Sequence, residues 1–268
     1  MRRESIRTCY LHNGVIMFLS DLSWPAIEQL SRDLPVVVPI AAVEQHGHHL
    51  PLATDSLLLE EIVRRVEAER AEGVLVTPLM WLGNSHHHLD FPGTLSCFPR
   101  DYLNLLVGLL NNLITHGFRR ILLLNGHGGN DVPGKQAAFE VRQQFRERSD
   151  LLLLFTTYWS LGGRPWETMS EIQQREMGHA CEWETSMVMR IAPHLVGNYH
   201  DAAVVEPGNP FTPATRAWIT KDRSTIGHIG WPNLATAEKG EQLLVTFSND
   251  VQQLLDRIKK WDGTSWEG

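Results

Sequence analysis

The chain of 268 residues is 43% hydrophobic and 21% charged, the balance of an ordinary soluble globular protein, and it is long enough for one large domain that buries roughly three quarters of its unfolded surface. A formal net charge of −7 offers nothing to attract nucleic acid or an anionic membrane, and no uncharged apolar run reaches the ~18 residues of a membrane span. The three cysteines (Cys9, Cys97 and Cys181) are odd in number and far apart, which argues against a disulfide framework and for a reducing cytoplasm; with no CxxC pair they suggest no thiolate zinc site.

The first 24 residues carry two arginines near the start, but Glu4, Arg7 and His12 interrupt the apolar stretch a leader would need, and no small-residue cleavage site is evident, so we read no signal peptide. Residues 34–42 are a continuous apolar run rich in β-branched side chains, the pattern of a strand buried on both faces. Residues 55–71 come next as a helix with Leu57, Leu58, Ile62 and Val66 on one face. Residues 74–81 form a second strand and 101–116 a heavily buried helix. Residues 120–124 form a third strand, 132–148 a helix and 151–157 a fourth strand. This βαβαβαβ rhythm predicts an α/β fold with a mainly parallel sheet and helices on both faces. A short helix over 182–191, a loop-rich stretch at 197–232 and a long amphipathic helix at 235–261 complete one domain spanning 1–268.

Ligands of open parallel sheets bind beyond the carboxyl ends of the strands. Three polar loops succeed three strands here: Glu44-Gln45-His46, Gly83-Asn84-Ser85-His86, and Asn125-Gly126-His127-Gly128-Gly129-Asn130. Glu44 and His46 are two apart and point the same way in an extended segment. Carboxylates with imidazoles suit zinc, manganese or iron(II). Asp55 begins the next helix; by type it is an N-cap, and by its neighbours a further ligand. His127 lies among glycines that let a backbone pass close to a metal or substrate, whereas the loop lacks the spacing of a nucleotide cradle. Glu182 and Glu184 are not on one helical face, so only one of them enters a common site; His179, with its near-neutral pKa, is a candidate proton shuttle. Of His86, His87 and His88, at most two can face one pocket.

Together these segments resemble a known family. Val43-Glu44-Gln45-His46-Gly47, then His49-Leu50-Pro51 and Asp55, is similar to its EQHGxHLPxxTD segment. Gly83-Asn84-Ser85 with His88 and Phe91-Pro92-Gly93-Thr94, the NGHGGN loop at 125–130, and His179-Ala180 with Glu184-Thr185-Ser186 resemble its later motifs. The family is that of the creatininase-type (creatinine amidohydrolase) proteins, and the motifs span a little over half the chain. The resemblance implies a three-layer α/β/α fold, a centre of two divalent ions (zinc or manganese, with iron as an option) and a homo-oligomer, often a hexamer. Carried over, Glu44, His46, Asp55 and His127 are metal ligands, with Asp55 bridging, and Glu184 completes the set. His179 handles protons with help from Glu182, and Ser85, Gly128 and Trp159 meet substrate. Two departures stand out. The creatinine-hydrolysing enzyme has a glutamate ligand where this chain has Gly129, and a tryptophan that closes over substrate where this chain has residues 174–177. We therefore expect a metal-dependent amidohydrolase of small molecules, a cyclic amide ahead of a formamide or a peptide end. The rivals are a Cys181/His179 nucleophilic hydrolase and a non-catalytic metal-binding or assembly protein.

Overall fold

The computed structural model describes residues 17–70 and 73–266. Cys9, most of the arginine-bearing N-terminal stretch, and Ala71 at the end of the first predicted helix lie outside them. The elements in chain order are β1 (Met17–Phe18), α1 (Trp24–Glu28), β2 (Pro35–Ile40), α2 (Thr54–Arg70), β3 (Leu75–Val76), α3 (Pro99–Thr115), β4 (Arg120–Asn125), α4 (Asp131–Gln144), β5 (Leu152–Thr157), α5 (Pro165–Thr168), α6 (Glu182–Ile191) and α7 (Ala237–Lys260). The five strands form one parallel sheet in the order β1-β3-β2-β4-β5.

Strand periodicity explains the three layers. Alternate residues of a strand face opposite sides. Val36, Val38 and Ile40 of β2, with Ile121 and Leu123 of β4, pack on Tyr102, Leu106 and Leu110 of α3 and Val141 of α4. Val37, Leu122 and Leu124 face the other way, onto Leu58 and Ile62 of α2, Met187 of α6 and Phe247 and Val251 of α7. Both faces are therefore apolar, which is why these strands read as unbroken hydrophobic runs. Among the described residues no helix is long and apolar enough to cross a membrane.

The second predicted strand is shorter than its apolar run suggested. On the β3 side of β2, Thr77 N–H donates to Val37 O, Met80 N–H to Pro39 O, and Ala41 N–H to Met80 O. Pro39 has no N–H to give on that side, so the ladder lapses after Val76 and resumes as a single bridge between Ile40 and Met80. The 197–232 stretch is irregular as expected, apart from a 3₁₀ turn at Thr220–Asp222.

Helix α7 starts at Thr236, whose hydroxyl accepts from Lys239 N–H at 3.2 Å, and buries Leu243, Leu244, Phe247, Val251, Leu255 and Ile258 at helical spacing. It crosses α6 at Gly240, where a Cβ would stand 2.0 Å from Ser186 O. Alanine gains up to about 1 kcal/mol of helix propensity over glycine. Here the obstacle is backbone, and overpacking of this kind costs about 1–3 kcal/mol. We expect Gly240→Ala to lower the urea midpoint of unfolding without changing its slope; a raised midpoint would show that the two helices separate freely.

Candidate metal centre

Because β2 lies between β3 and β4, the loops leaving the three strands are neighbours. Glu44 and His46 come from the loop after β2, and Ser85 and His88 from the segment after β3. His127 comes from the turn after β4, Asp55 from the first turn of α2 and Glu184 from the first turn of α6. All are buried. His46 Nε2 lies 3.1 Å from Asp55 Oδ1 and 3.9 Å from Glu184 Oε1. His127 Nδ1 lies 2.9 Å from Asp55 Oδ2 and 3.3 Å from Glu44 Oε1, and His179 Nδ1 lies 3.5 Å from that same Glu44 oxygen.

Hydrogen-bond accounting assigns the protons of these imidazoles. A backbone carbonyl can only accept, so a ring nitrogen bonded to one carries the hydrogen. His46 Nδ1 is 3.1 Å from Glu44 O, His127 Nε2 is 3.1 Å from Asn84 O, and His179 Nε2 is 2.6 Å from Gln45 O. Each neutral ring then turns its bare nitrogen toward carboxylates. Lone pair against carboxylate is repulsive in a buried site unless a cation stands between them. This is the arrangement of metal-binding histidines, whose outer N–H is held by a carbonyl. Two buried carboxylate oxygens, Glu44 Oε2 and Asp55 Oδ2, have no hydrogen-bond partner among the described residues; Asp55 Oδ2 is close to His127 but not in line for a bond. Three sets of ligand atoms lie within 4.8 Å of one another: His46, Asp55 and Glu184; Glu44, His87 and His127; and Glu44, His46 and His179. The donors are all nitrogen and oxygen, a set that fits zinc, manganese or iron(II).

Without a cation, protons take its place. Burial opposes a charge on His46, but Asp55 and Glu184 outweigh it and raise the pKa to about 9. Burial likewise opposes protonation of His127, and Glu44 and Asp55 push it well above its ordinary value. Burial lifts Glu184 to about 7, with repulsion from Asp55 adding to it against the pull of His46 and the Ala180 N–H. His179 falls to about 3 through burial and the nearby His46, so this imidazole is neutral.

The structure brings Glu44, His46, Asp55, His127, Glu184 and His179 together. Ser85 stands behind His127, its hydroxyl 3.3 Å from the outer Nε2, and so supports that ring rather than facing the cluster interior. Asp55 does not cap α2; its oxygens face His46 and His127. Gly128 is exposed beside His127, with open space where a side chain would be. Trp159 packs edge-on against Tyr158 in the apolar layer of α2, α6 and α7. Glu182 is turned away from the cluster: its carboxylate accepts from Gln174 N–H at 2.7 Å and from Lys239 Nζ at 2.6 Å. The Cys181 thiol is fully buried and pushed up to about 12 by burial and Glu184, which removes the thiolate a nucleophile needs. Residue order alone gives no task to Gln45 or Thr220 and does not choose among the three consecutive histidines. Here His87 and His88 turn inward, while His86 bonds Ser96.

Residues 20–255 match the profile of the Creatininase family, described as creatinine amidohydrolase. The chain is 28% identical over 259 residues to a creatinine amidohydrolase of Pseudomonas putida (91% of this chain, 96% of that one). It is 30% identical over 254 residues to a mycofactocin precursor peptide peptidase of Mycolicibacterium smegmatis (92% and 93%). A tryptophan variant of creatininase superposes with a TM-score of 0.77 at 25% identity, over 92% of this chain and 100% of that one. Two other creatininase structures share the fold at 22% and 23% identity, each over 90% of this chain and 98% of its own: a Zn-Zn form at TM-score 0.74 and a manganese form at 0.72.

This geometry sets two expected outcomes. Glu182→Ala leaves the Lys239 ammonium, 11% exposed, with Leu234 O but no carboxylate, and should cost about 3–5 kcal/mol in urea unfolding of metal-free protein; a loss below 1 kcal/mol would mean that water replaces the carboxylate. At pH 7 the metal-free His46 holds the proton on the nitrogen a cation needs, so metal uptake should release protons and apparent affinity should fall as pH drops below about 9. Calorimetry in buffers of differing ionisation enthalpy reads this directly, and heats independent of buffer would refute it.

Proposed function

The chain belongs to the creatininase family, and from that premise we propose that it is a metal-dependent hydrolase that adds water across a C–N amide bond at the Glu44–His46–Asp55–His127–Glu184 cluster. One observation carries the reading: three imidazoles hold their outer N–H on backbone carbonyls and turn bare nitrogens toward carboxylates, two of whose oxygens are buried without a partner. A pair of divalent ions held there would supply acidified water and a polarised amide carbonyl.

The chain's own residues divide the remaining work. Asp55 would serve both ions, because its two oxygens face different imidazoles, Oδ1 toward His46 and Oδ2 toward His127. Glu44 and His127 would hold one ion, and His46 and Glu184 the other. His179 holds its hydrogen on Nε2 and presents a bare Nδ1 to the cluster, so we assign it to take a proton at that atom and return it to the departing nitrogen. Its Nε2–H bond to Gln45 O keeps the ring in place while the charge comes and goes. Exposed Gly128 offers close backbone approach to the substrate beside His127. Glu182 has no part in this proton path, since its oxygens are committed to Lys239 and to backbone N–H groups.

We take the substrate to be a small amide. Cyclic amides and formamides form the first group to test. Peptide ends form a second, favoured by the 30% identity to a protein named as a peptide peptidase.

Activity across such a panel should vanish with chelation and return with zinc or manganese. Asp55→Ala should lose more than the ~10–100-fold that loss of an outer-sphere partner costs, together with bound metal by elemental analysis. Full activity in that variant, or in chain free of metal, would end the metal-dependent reading of this cluster. A metal-loaded chain that turns over nothing in the panel would favour a non-catalytic role.

A further inference from the structure

His88 is as buried as the ligands, at 1% exposure, yet neither metal binding nor proton transfer by His179 gives it a task. Its Nε2 lies 3.3 Å from Glu44 Oε1, and its ring stacks on His179 with centroids 4.2 Å apart. Its other nitrogen meets Gln45 Nε2 at 2.7 Å and the Thr220 hydroxyl at 2.8 Å.

Gln45 fixes the proton position on His88. The Gln45 amide has a single workable orientation, because Gly227 O must accept from its nitrogen at 3.0 Å and Gly47 N–H must donate to its oxygen at 2.9 Å. One of its two hydrogens goes to Gly227. The other is offered to His88 Nδ1 at 2.7 Å and His179 Nε2 at 2.9 Å. His179 Nε2 already carries a hydrogen for Gln45 O, so it cannot accept. The second amide hydrogen therefore goes to His88 Nδ1; the Thr220 hydroxyl, 2.8 Å from the same atom, gives its own hydrogen to His87 O. His88 then carries its proton on Nε2, facing Glu44. It is the reverse of His46, His127 and His179: they direct lone pairs inward, and it directs an N–H.

We propose that His88 is a positioning residue of the metal centre: held in its Nε2–H form by Gln45, it presents that N–H to Glu44 Oε1, 3.3 Å away, and leaves the unpartnered Oε2 for the cation. This rests on the assignment of the cluster as a metal site. Outer groups that orient a ligand typically set metal affinity by about 10–100-fold.

The test strips the full chain of metal and measures zinc affinity by competition with a chromophoric chelator. His88→Leu should weaken binding about 10–100-fold. His88→Gln, whose amide N–H can stand where Nε2–H stood, should recover most of the loss. A merely space-filling histidine would give the opposite order, with leucine equal to wild type and glutamine no better. In the unmutated, zinc-loaded chain, nitrogen NMR of labelled histidine should show His88 with hydrogen on Nε2 and a bare Nδ1. This arm is independent of whether the leucine variant folds, and a hydrogen on Nδ1 overturns the proposal. Wild-type affinity in His88→Leu, with zinc bound normally by the parent, overturns this inference alone. A parent chain that takes up no zinc overturns it together with the metal-site assignment.

Discussion

The site depends on a conflict that protein atoms alone do not resolve. Three ring nitrogens, each stripped of its hydrogen by an outward bond to a backbone carbonyl, face three carboxylates in an interior where Glu44 and His46 are 1% and 0% exposed. Like-signed lone pairs at 2.9–3.5 Å are costly where the effective dielectric is low. Protonation relieves the conflict in the metal-free chain, which is why His46 and His127 are raised while Glu44 and Asp55 are lowered. Divalent ions would relieve it with more charge and no hydrogens. The same contacts therefore explain the perturbed titration and the fit to a metal, and no separate account of either is needed.

The sheet makes this conflict geometrically possible. Parallel strands deliver all their loops to one edge, and the order β3-β2-β4 sets three of them side by side. Both faces of the sheet are sealed by apolar layers, so the polar groups have nowhere to gather except at that edge. Helix α2 returns Asp55 to it in its first turn, and α6 does the same with Glu184.

Much of this is readable from residue order, for physical reasons. The unbroken apolar run at 34–42 marks a strand buried on both faces, those at 120–124 and 151–157 mark two further strands, the last of them a half-buried edge, and helix 182–191 is legible from its polar start and apolar face. The two-residue spacing of Glu44 and His46 in extended chain already directs both inward. What escapes the sequence depends on partners remote in the chain. Pro39 cuts the β3 ladder only because that side of β2 is where its N–H was needed. Three adjacent histidines look equivalent until Ser96 claims His86 and Gln45 claims His88. Thr220, 132 residues beyond His88, belongs to no motif at all. Glu182 looks like a proton-handling partner for His179 because nothing local reveals Lys239, 57 positions away.

Helix α6 shows how one short element serves both stability and chemistry. Positions two apart on a helix lie about 200° around the axis from each other. Glu182 and Glu184 therefore look in opposite directions from the same turn. Glu182 locks α6 to α7 through Lys239 and holds the 173–174 backbone, whose Gln174 in turn receives the Trp183 indole N–H and, through its side chain, supports Trp231 N–H. Glu184 faces His46, with its other oxygen held by Ala180 N–H. That N–H is aimed correctly because Ala180 adopts φ +49°, a left-handed conformation that costs a non-glycine residue about 1 kcal/mol or more. His49 fixes the same residue from the other side by bonding its carbonyl. The strain is thus held by buried bonds on both sides of one residue, and the carboxylate it orients is the one that meets the cluster. A helix anchored only through Glu184 would have to order itself through a carboxylate whose charge burial opposes; Glu182 gives the helix a second anchor that needs no cation.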